Sequence, residues 1–268
     1  RLISESQSDL HNNGRSVRII EFDNQMKIVY KPKDLGIDQV WNSFIEKIND
    51  SNPPYTLRTV PTICKSSYGW TAYIENEPCK LDSDIKEYYR RAGELLAIFY
   101  LLASTDMHDE NIIACGAFPV PIDLEMIFQG LIREDGLVGP NYEAETLARK
   151  KIFDSVFQVG LLPAYARDKR RGIVALGGLV GNENFYVDQS WQFVNTDGMQ
   201  PLSSGGEFCA ASLNLPVLEG KSRDLTDNVD DLILGFQKFL EFIFKSYGVN
   251  TLQEDFEKFT RQRVRKVN

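Results

Sequence analysis

The sequence predicts an α+β protein in two lobes, a small β-rich N-terminal lobe over residues 1–84 and a larger, mostly helical lobe over 85–268. Three observations predict it. Residues 16–32 alternate in character about a polar turn, the pattern of a β-hairpin. Residues 86–103 become apolar almost all round from Ala92 onward, the pattern of a buried helix. Between them runs a polar connector, Glu75 to Asp84, which marks a boundary between the two lobes.

In the hairpin, Val17 and Ile19, then Met26, Ile28 and Tyr30, supply the alternation, and Asp23-Asn24 the turn. Pro32 has no N–H for a ladder and stops the second strand just after Lys31. Residues 38–49 place Val40, Trp41, Phe44, Ile45 and Ile48 on one helical face. Asn49 to Pro54 is a loop and Tyr68 to Ile74 a strand. After the apolar helix come the polar loop Thr105 to Asn111 and short strands running through Ile122-Asp123-Leu124. Residues 128–228 hold several short elements and glycine-rich turns. Asn228 to Tyr247 form an amphipathic helix that buries Val229, Leu232, Ile233, Phe236, Phe239, Leu240 and Ile243, and Gly248 ends it.

The chain has 268 residues, 43% of them hydrophobic and 25% charged, enough to bury a core without disulfide staples. A net charge of −8 excludes a general nucleic-acid binder. It leaves room for a small anionic ligand such as a nucleotide, which needs only a local positive cluster. Cys64, Cys79, Cys115 and Cys209 form no C-x-x-C pair, so they read as reduced thiols of a cytoplasmic chain. His11 and His108 are the only histidines, too few for a multi-histidine metal centre. No apolar run reaches the roughly 18 residues of a membrane span, and no signal peptide is evident. The start at Arg1 and the closing basic run Arg261 to Asn268 read as an excised piece of a longer protein.

The strongest chemical signal is Asp106-Met-His-Asp-Glu-Asn111 followed by Ile122-Asp123-Leu124. Phosphoryl transfer needs a base or orienter beside the attacking hydroxyl and oxygen ligands for Mg²⁺ across the phosphates. Asp106 suits the first role; Asn111 and Asp123 suit the second, since magnesium takes few protein ligands and keeps waters and phosphate oxygens. His108, in the same loop, suits stabilising the transferred group or relaying a proton. The plain alternative is a polar turn with Asp and Asn serving as local caps. Lys31, ending a strand of the small lobe, stands where a kinase grips nucleotide phosphates; its alternative is an edge-strand lysine that discourages aggregation. No acidic partner for it is evident, and Glu46 faces away from the apolar stripe of its helix.

A third cluster precedes the hairpin. Asn12-Asn13-Gly14 is a turn whose N–H groups suit phosphate oxygens, with Asp9, His11 and Arg15 beside it; a terminal loop with an Asx cap explains the same residues. Gly172 to Gly181 is glycine-rich, but no G-K-[ST] follows, so it is a strand and turn rather than a P-loop. No G-x-S-x-G occurs, which excludes the usual serine-hydrolase signature.

Taken in order, S-D-L-H-N-N-G-R-S-V at 8–17, V-Y-K-P at 29–32, Y-G-W at 68–70, Y-Y-R-R-A-G at 88–93, T-D-M-H-D-E-N-I-I-A at 105–114 and P-I-D-L-E at 121–125 resemble the dehydratase domain of class II (LanM-type) lanthipeptide synthetases. G-L-L-P at 160–163, A-L-G-G at 175–178 and G-F at 235–236 follow in the same order. One departure is Ser8, where the family usually carries glycine.

The resemblance implies a two-lobed fold like that of phosphatidylinositol-type lipid kinases, with ATP and Mg²⁺ in the cleft. It implies phosphorylation of Ser and Thr in a leader-bearing precursor peptide, then elimination of phosphate to dehydroalanine or dehydrobutyrine. A zinc cyclase domain would normally follow in the parent chain. Lys31, Asp106, His108, Asn111 and Asp123 match the family's phosphorylation residues, with Asn111 and Asp123 on the metal. Asp9 and His11 match positions linked to elimination, either being the candidate α-proton base. Arg265 resembles the first arginine of a closing R-x-x-x-R-x-T element that would hold the departing phosphate. A lipid or small-molecule kinase of the same fold, or a non-catalytic peptide-binding scaffold, are the competing expectations.

Overall fold

The computed structural model describes residues 2–5, 16–128, 143–168, 172–181, 183–209 and 212–262. The architecture is α+β. The expected hairpin forms from β2 (Arg18–Glu21) and β3 (Lys27–Lys31), paired antiparallel with Ile19 opposite Val29. Its turn closes through Gln25 at φ 67, one position beyond the predicted Asp23-Asn24. Adding β1 (Leu2–Glu5), β4 (Thr62–Cys64) and β5 (Gly69–Ala72) makes a five-stranded sheet in the order β1-β2-β3-β5-β4. The three-residue β4 is too short to leave a period in the sequence.

Helix α1 (Gly36–Asp50) buries Ile37, Trp41, Phe44, Ile45 and Ile48, close to the predicted stripe. Trp41 stacks on Phe99 with ring centroids 5.1 Å apart, and Phe44 meets Phe259 edge-on at 5.7 Å. Phe99 belongs to α2 (Asp82–Leu101), which buries every residue from Ala92 to Phe99. Asp84 starts α2 by accepting the N–H groups of Lys80 and Leu81, both at 2.9 Å. Helix α2 ends where Ala103 N–H donates to Tyr100 and Ser104 N–H to Phe99. That closing turn puts Ala103 at φ 45, a left-handed position that usually takes glycine.

Beyond α2 come the paired strands β6 (Ile112–Cys115) and β7 (Phe118–Pro121). The sequence placed Ile122-Asp123-Leu124 in a strand. In the structure the ladder stops at Pro121, and those three residues run on just outside it. Helix α3 (Glu143–Phe153) is followed by two antiparallel pairs, β8 (Ala164–Asp168) with β9 (Gly172–Leu176) and β10 (Glu183–Gln192) with β11 (Gln200–Cys209). A short pair, β12 (Val217–Leu218) with β13 (Lys221–Ser222), leads to α4 (Val229–Phe242).

Helix α4 is shorter and rotated relative to expectation. It buries Leu232, Gly235, Phe239 and Phe242, whereas Val229 and Ile233 are exposed. The rotation follows from backbone contact: α2 and α4 cross where Gly93 and Gly235 each face the other helix without a side chain. A Cβ on Gly93 would overlap the carbonyl of Leu232, and one on Gly235 the carbonyl of Arg90. A π-helical turn, Ile243–Tyr247, and Gly248 at φ 92 end α4, and α5 (Val249–Thr260) follows. No helix among the described residues is long and apolar enough to cross a membrane.

Candidate functional site

The loop Thr105–Asn111 is held from several sides. Thr105 N–H donates to the carbonyl of Met126 at 3.0 Å, and Ile122 N–H to that of Asn111 at 2.9 Å, so the loop and residues 122–126 form one unit. Beneath it, Met107 N–H donates to Val159 at 2.9 Å. Gly160, at φ 81, lies so near that a Cβ there would come within 3.1 Å of the Met107 nitrogen. A Cβ on Gly178 would overlap the Met107 carbonyl. Buried Asn214 fixes that second glycine turn, its amide donating to Gly178 at 3.0 Å and Val180 at 2.8 Å. The two glycine motifs thus form the bed of the loop; they needed small residues for backbone contact, not for phosphate.

Within the loop, Asp106 has φ 69, a conformation that Asp tolerates better than most residues. Asn111 Nδ2 donates to the Asp106 carbonyl at 2.6 Å, which fixes the amide and leaves Oδ1 as the atom to offer a cation. His108 Nε2 lies 3.4 Å from Asp106 Oδ1, and Nδ1 lies 3.7 Å from Asp109 Oδ1. Hydrogen bonds to Asp106 and Asp109 outweigh partial burial and push the His108 pKa up to about 10. As an imidazolium it cannot also accept the Glu110 N–H that approaches Nδ1 at 3.4 Å. The two flanking carboxylates favour the cation, so the local cap gives way to the ion pairs.

Opposite the loop, Lys31 is buried and its ammonium donates to the carbonyl of Ile122, the residue before Asp123. The carboxylate itself is taken by a residue the sequence reading passed over. Lys33 Nζ stands 2.8 and 3.0 Å from the two oxygens of Asp123 and 2.9 Å from Glu125 Oε2. Burial works against the charge on Asp123, yet Lys33 and Lys31 together hold its carboxyl below the usual range. The acidic group missing from the sequence reading is Asp38, in the first turn of α1 rather than at Glu46. It is buried, and burial raises its pKa while Lys31 and Lys33 pull the other way. Lys33 and Asp38 left only a weak signal: Pro32 hid the first, and the second sits at a helix start where Asp is ordinary.

The structure therefore brings together Lys31, Asp106, His108, Asn111 and Asp123, and adds Lys33, Asp38, Asp109 and Glu125. Asp9, His11, Arg15 and Arg265 lie outside the described residues. Among the described residues no group of three or more His, Cys, Asp and Glu is placed to hold a metal ion. An ionised carboxylate and an amide oxygen still suit Mg²⁺, a hard cation that completes its shell with water and phosphate oxygens. A groove of about 400 Å³ between α1 and α5, lined by Gln39, Ser43, Lys258 and Arg261, contains none of these residues.

A family model described as a domain of unknown function, DUF4135, matches residues 1–268. The lacticin 481/lactococcin biosynthesis protein LcnDR2 of Lactococcus lactis subsp. lactis is 28% identical over 256 residues, covering 90% of this chain. The chain spans about a quarter of that relative, 27% of its length. Both findings bear out the resemblance to the dehydratase domain of LanM-type synthetases.

Proposed function

The chain belongs to the DUF4135 family, and from that premise we propose that it is the dehydratase region of a lanthipeptide synthetase, with a lipid-kinase-like arrangement of two lobes. It phosphorylates Ser and Thr of a leader-bearing precursor peptide with ATP and then eliminates the phosphate. The relative's role in lacticin biosynthesis supports the peptide substrate. One observation carries the chemistry: Asp123 lies beside two cations, buried Lys31 and partly buried Lys33, on a segment hydrogen-bonded to the loop bearing Asp106, His108 and Asn111. Cys64, Cys79 and Cys115 are free thiols, which fits a reducing cytoplasm. The reading includes a cyclase domain elsewhere in a longer parent chain.

Magnesium, held by Asn111 and Asp123, would neutralise phosphate charge and open the terminal phosphorus to attack. Lys31 grips the phosphate oxygens from the sheet side. Asp106 orients the substrate hydroxyl and takes its proton as the new O–P bond forms and the bond to ADP breaks. His108, cationic through neutral pH, stabilises charge on the transferred group rather than accepting a proton. In the second half, His11 or Asp9 removes the substrate α-proton, the C–O bond breaks, and phosphate leaves toward Arg265.

Calorimetry of ATP binding tests the first half. The chain is expected to bind ATP with Mg²⁺ present and at least tenfold more weakly without it, and Asp123→Asn is expected to lose the magnesium dependence. A wild-type chain that binds no ATP under either condition would favour a peptide-binding scaffold and overturn the proposal.

A further inference from the structure

The Lys33 ammonium has an unusual position. Its side chain is only 14% exposed, and it bridges two carboxylates, Asp123 and Glu125, that are 32% and 16% exposed. It engages both oxygens of Asp123, at 2.8 and 3.0 Å, and Oε2 of Glu125 at 2.9 Å. A third carboxylate, Asp38, lies within the field of both Lys33 and Lys31. A divalent cation on Asp123 needs the oxygens that the ammonium occupies, and two cations on one carboxylate repel strongly where water is scarce.

We infer that Lys33 is the resident counter-cation of the metal site: it occupies Asp123 and Glu125 until a divalent cation arrives with nucleotide, and then moves its charge onto the nucleotide's phosphates. This rests on the phosphoryl-transfer reading above and extends it to a residue that the motifs did not single out. The physical reason is charge balance. Without nucleotide, exchanging the ammonium for a metal ion strands a largely desolvated cation without its counter-charge, which is costly. With nucleotide, the phosphates supply the negative charge that both cations need. Lys33 therefore couples metal entry to nucleotide entry and keeps the bare site closed to free metal. Lys31 does not cover the metal's carboxylate in this way, because its ammonium donates to the Ile122 carbonyl and leaves the Asp123 oxygens to Lys33.

The test is Mn²⁺ binding to the full chain, followed by electron paramagnetic resonance, without nucleotide and with ADP. Lys33→Gln is expected to bind Mn²⁺ alone at least tenfold more tightly than wild type and Mn²⁺ with ADP at least tenfold more weakly. Lys33→Arg, which keeps the charge, is expected to follow wild type for Mn²⁺ alone. If Lys33→Gln binds Mn²⁺ alone no more tightly than wild type, while wild type binds Mn²⁺ with ADP, the inference fails and the kinase reading stands. If wild type binds no Mn²⁺ even with ADP, both fail. Should Lys33→Gln not fold, wild type still decides: a zero-length carbodiimide crosslink between Lys33 and Asp123 or Glu125 is expected to fall at least threefold with Mn²⁺ and ADP. An unchanged crosslink yield when both are bound overturns the inference.

Discussion

Single ionisable residues in this protein sit where water is scarce, and Glu94 is the clearest case outside the site. It is fully buried on α2, accepts the Tyr55 N–H at 3.0 Å through Oε1, and leaves Oε2 without a partner. Burial pushes its pKa up to about 8, against smaller opposing contributions from the Tyr55 N–H and Arg91. A carboxyl whose folded pKa lies above its unfolded value holds its proton more tightly when folded. Its stabilising protonation is complete below about pH 4.5 and is lost as pH rises toward 8, at up to about 1.4 kcal/mol per pH unit. Glu94→Gln is expected to remove that slope. Thermal unfolding at pH 5 and pH 8.5 checks it: the variant should gain on wild type at the higher pH, and parallel shifts would contradict the assignment. Glu94 lies within the apolar run that begins at Ala92, and its protonation, which depends on burial, has no sequence signal. Asp106, His108 and Asn111 were legible because their spacing lies within one loop. Lys33 and Asp38 were not, because their meaning comes from partners about 90 residues away in one case and from burial in the other.

At the scale of elements, the crossing of α2 and α4 depends on two glycines. Gly93→Ala is expected to force the helices apart, at a cost of about 3 kcal/mol, because the intruding atom meets backbone that cannot change rotamer. Chemical denaturation measures this, and a loss below about 0.5 kcal/mol would show that the crossing adapts. Arg90 supports the same crossing by donating to Asp231 at 2.8 Å. Helix α1 was legible because its apolar face is complete within the helix. Helix α4 was legible in place and type but not in rotation. Apolar periodicity placed Leu232 and Phe239 inward, as they are, but also Val229 and Ile233, which the close approach at Gly235 leaves exposed. Helix α5 went unread although Leu252, Phe256 and Phe259 recur at helical spacing; Leu252 and Phe259 are buried and Phe256 packs against the same core.

Across the whole molecule, one core joins the helix behind the sheet to the helices behind the loop. Trp41, Phe99, Phe239 and Phe259 belong to a single buried cluster. Lys33, from the sheet side, thereby meets the Asp123 carboxylate, and Lys31 the carbonyl of Ile122 just before it. The α+β class was legible from the hairpin and the apolar helix, whereas the short strands after α3 and helix α5 were not. The bridging of sheet to loop through Lys33 was not, since no local pattern encodes a contact between residues 33 and 123. The most direct measurement is the intact mass of a Ser/Thr-containing, leader-bearing precursor peptide after incubation with ATP, Mg²⁺ and this chain, beside the Asp123→Asn variant. The account predicts loss of water, or a gain of phosphate where elimination fails, and neither with Asp123→Asn. An unmodified cognate peptide, or equal modification by the variant, would contradict it.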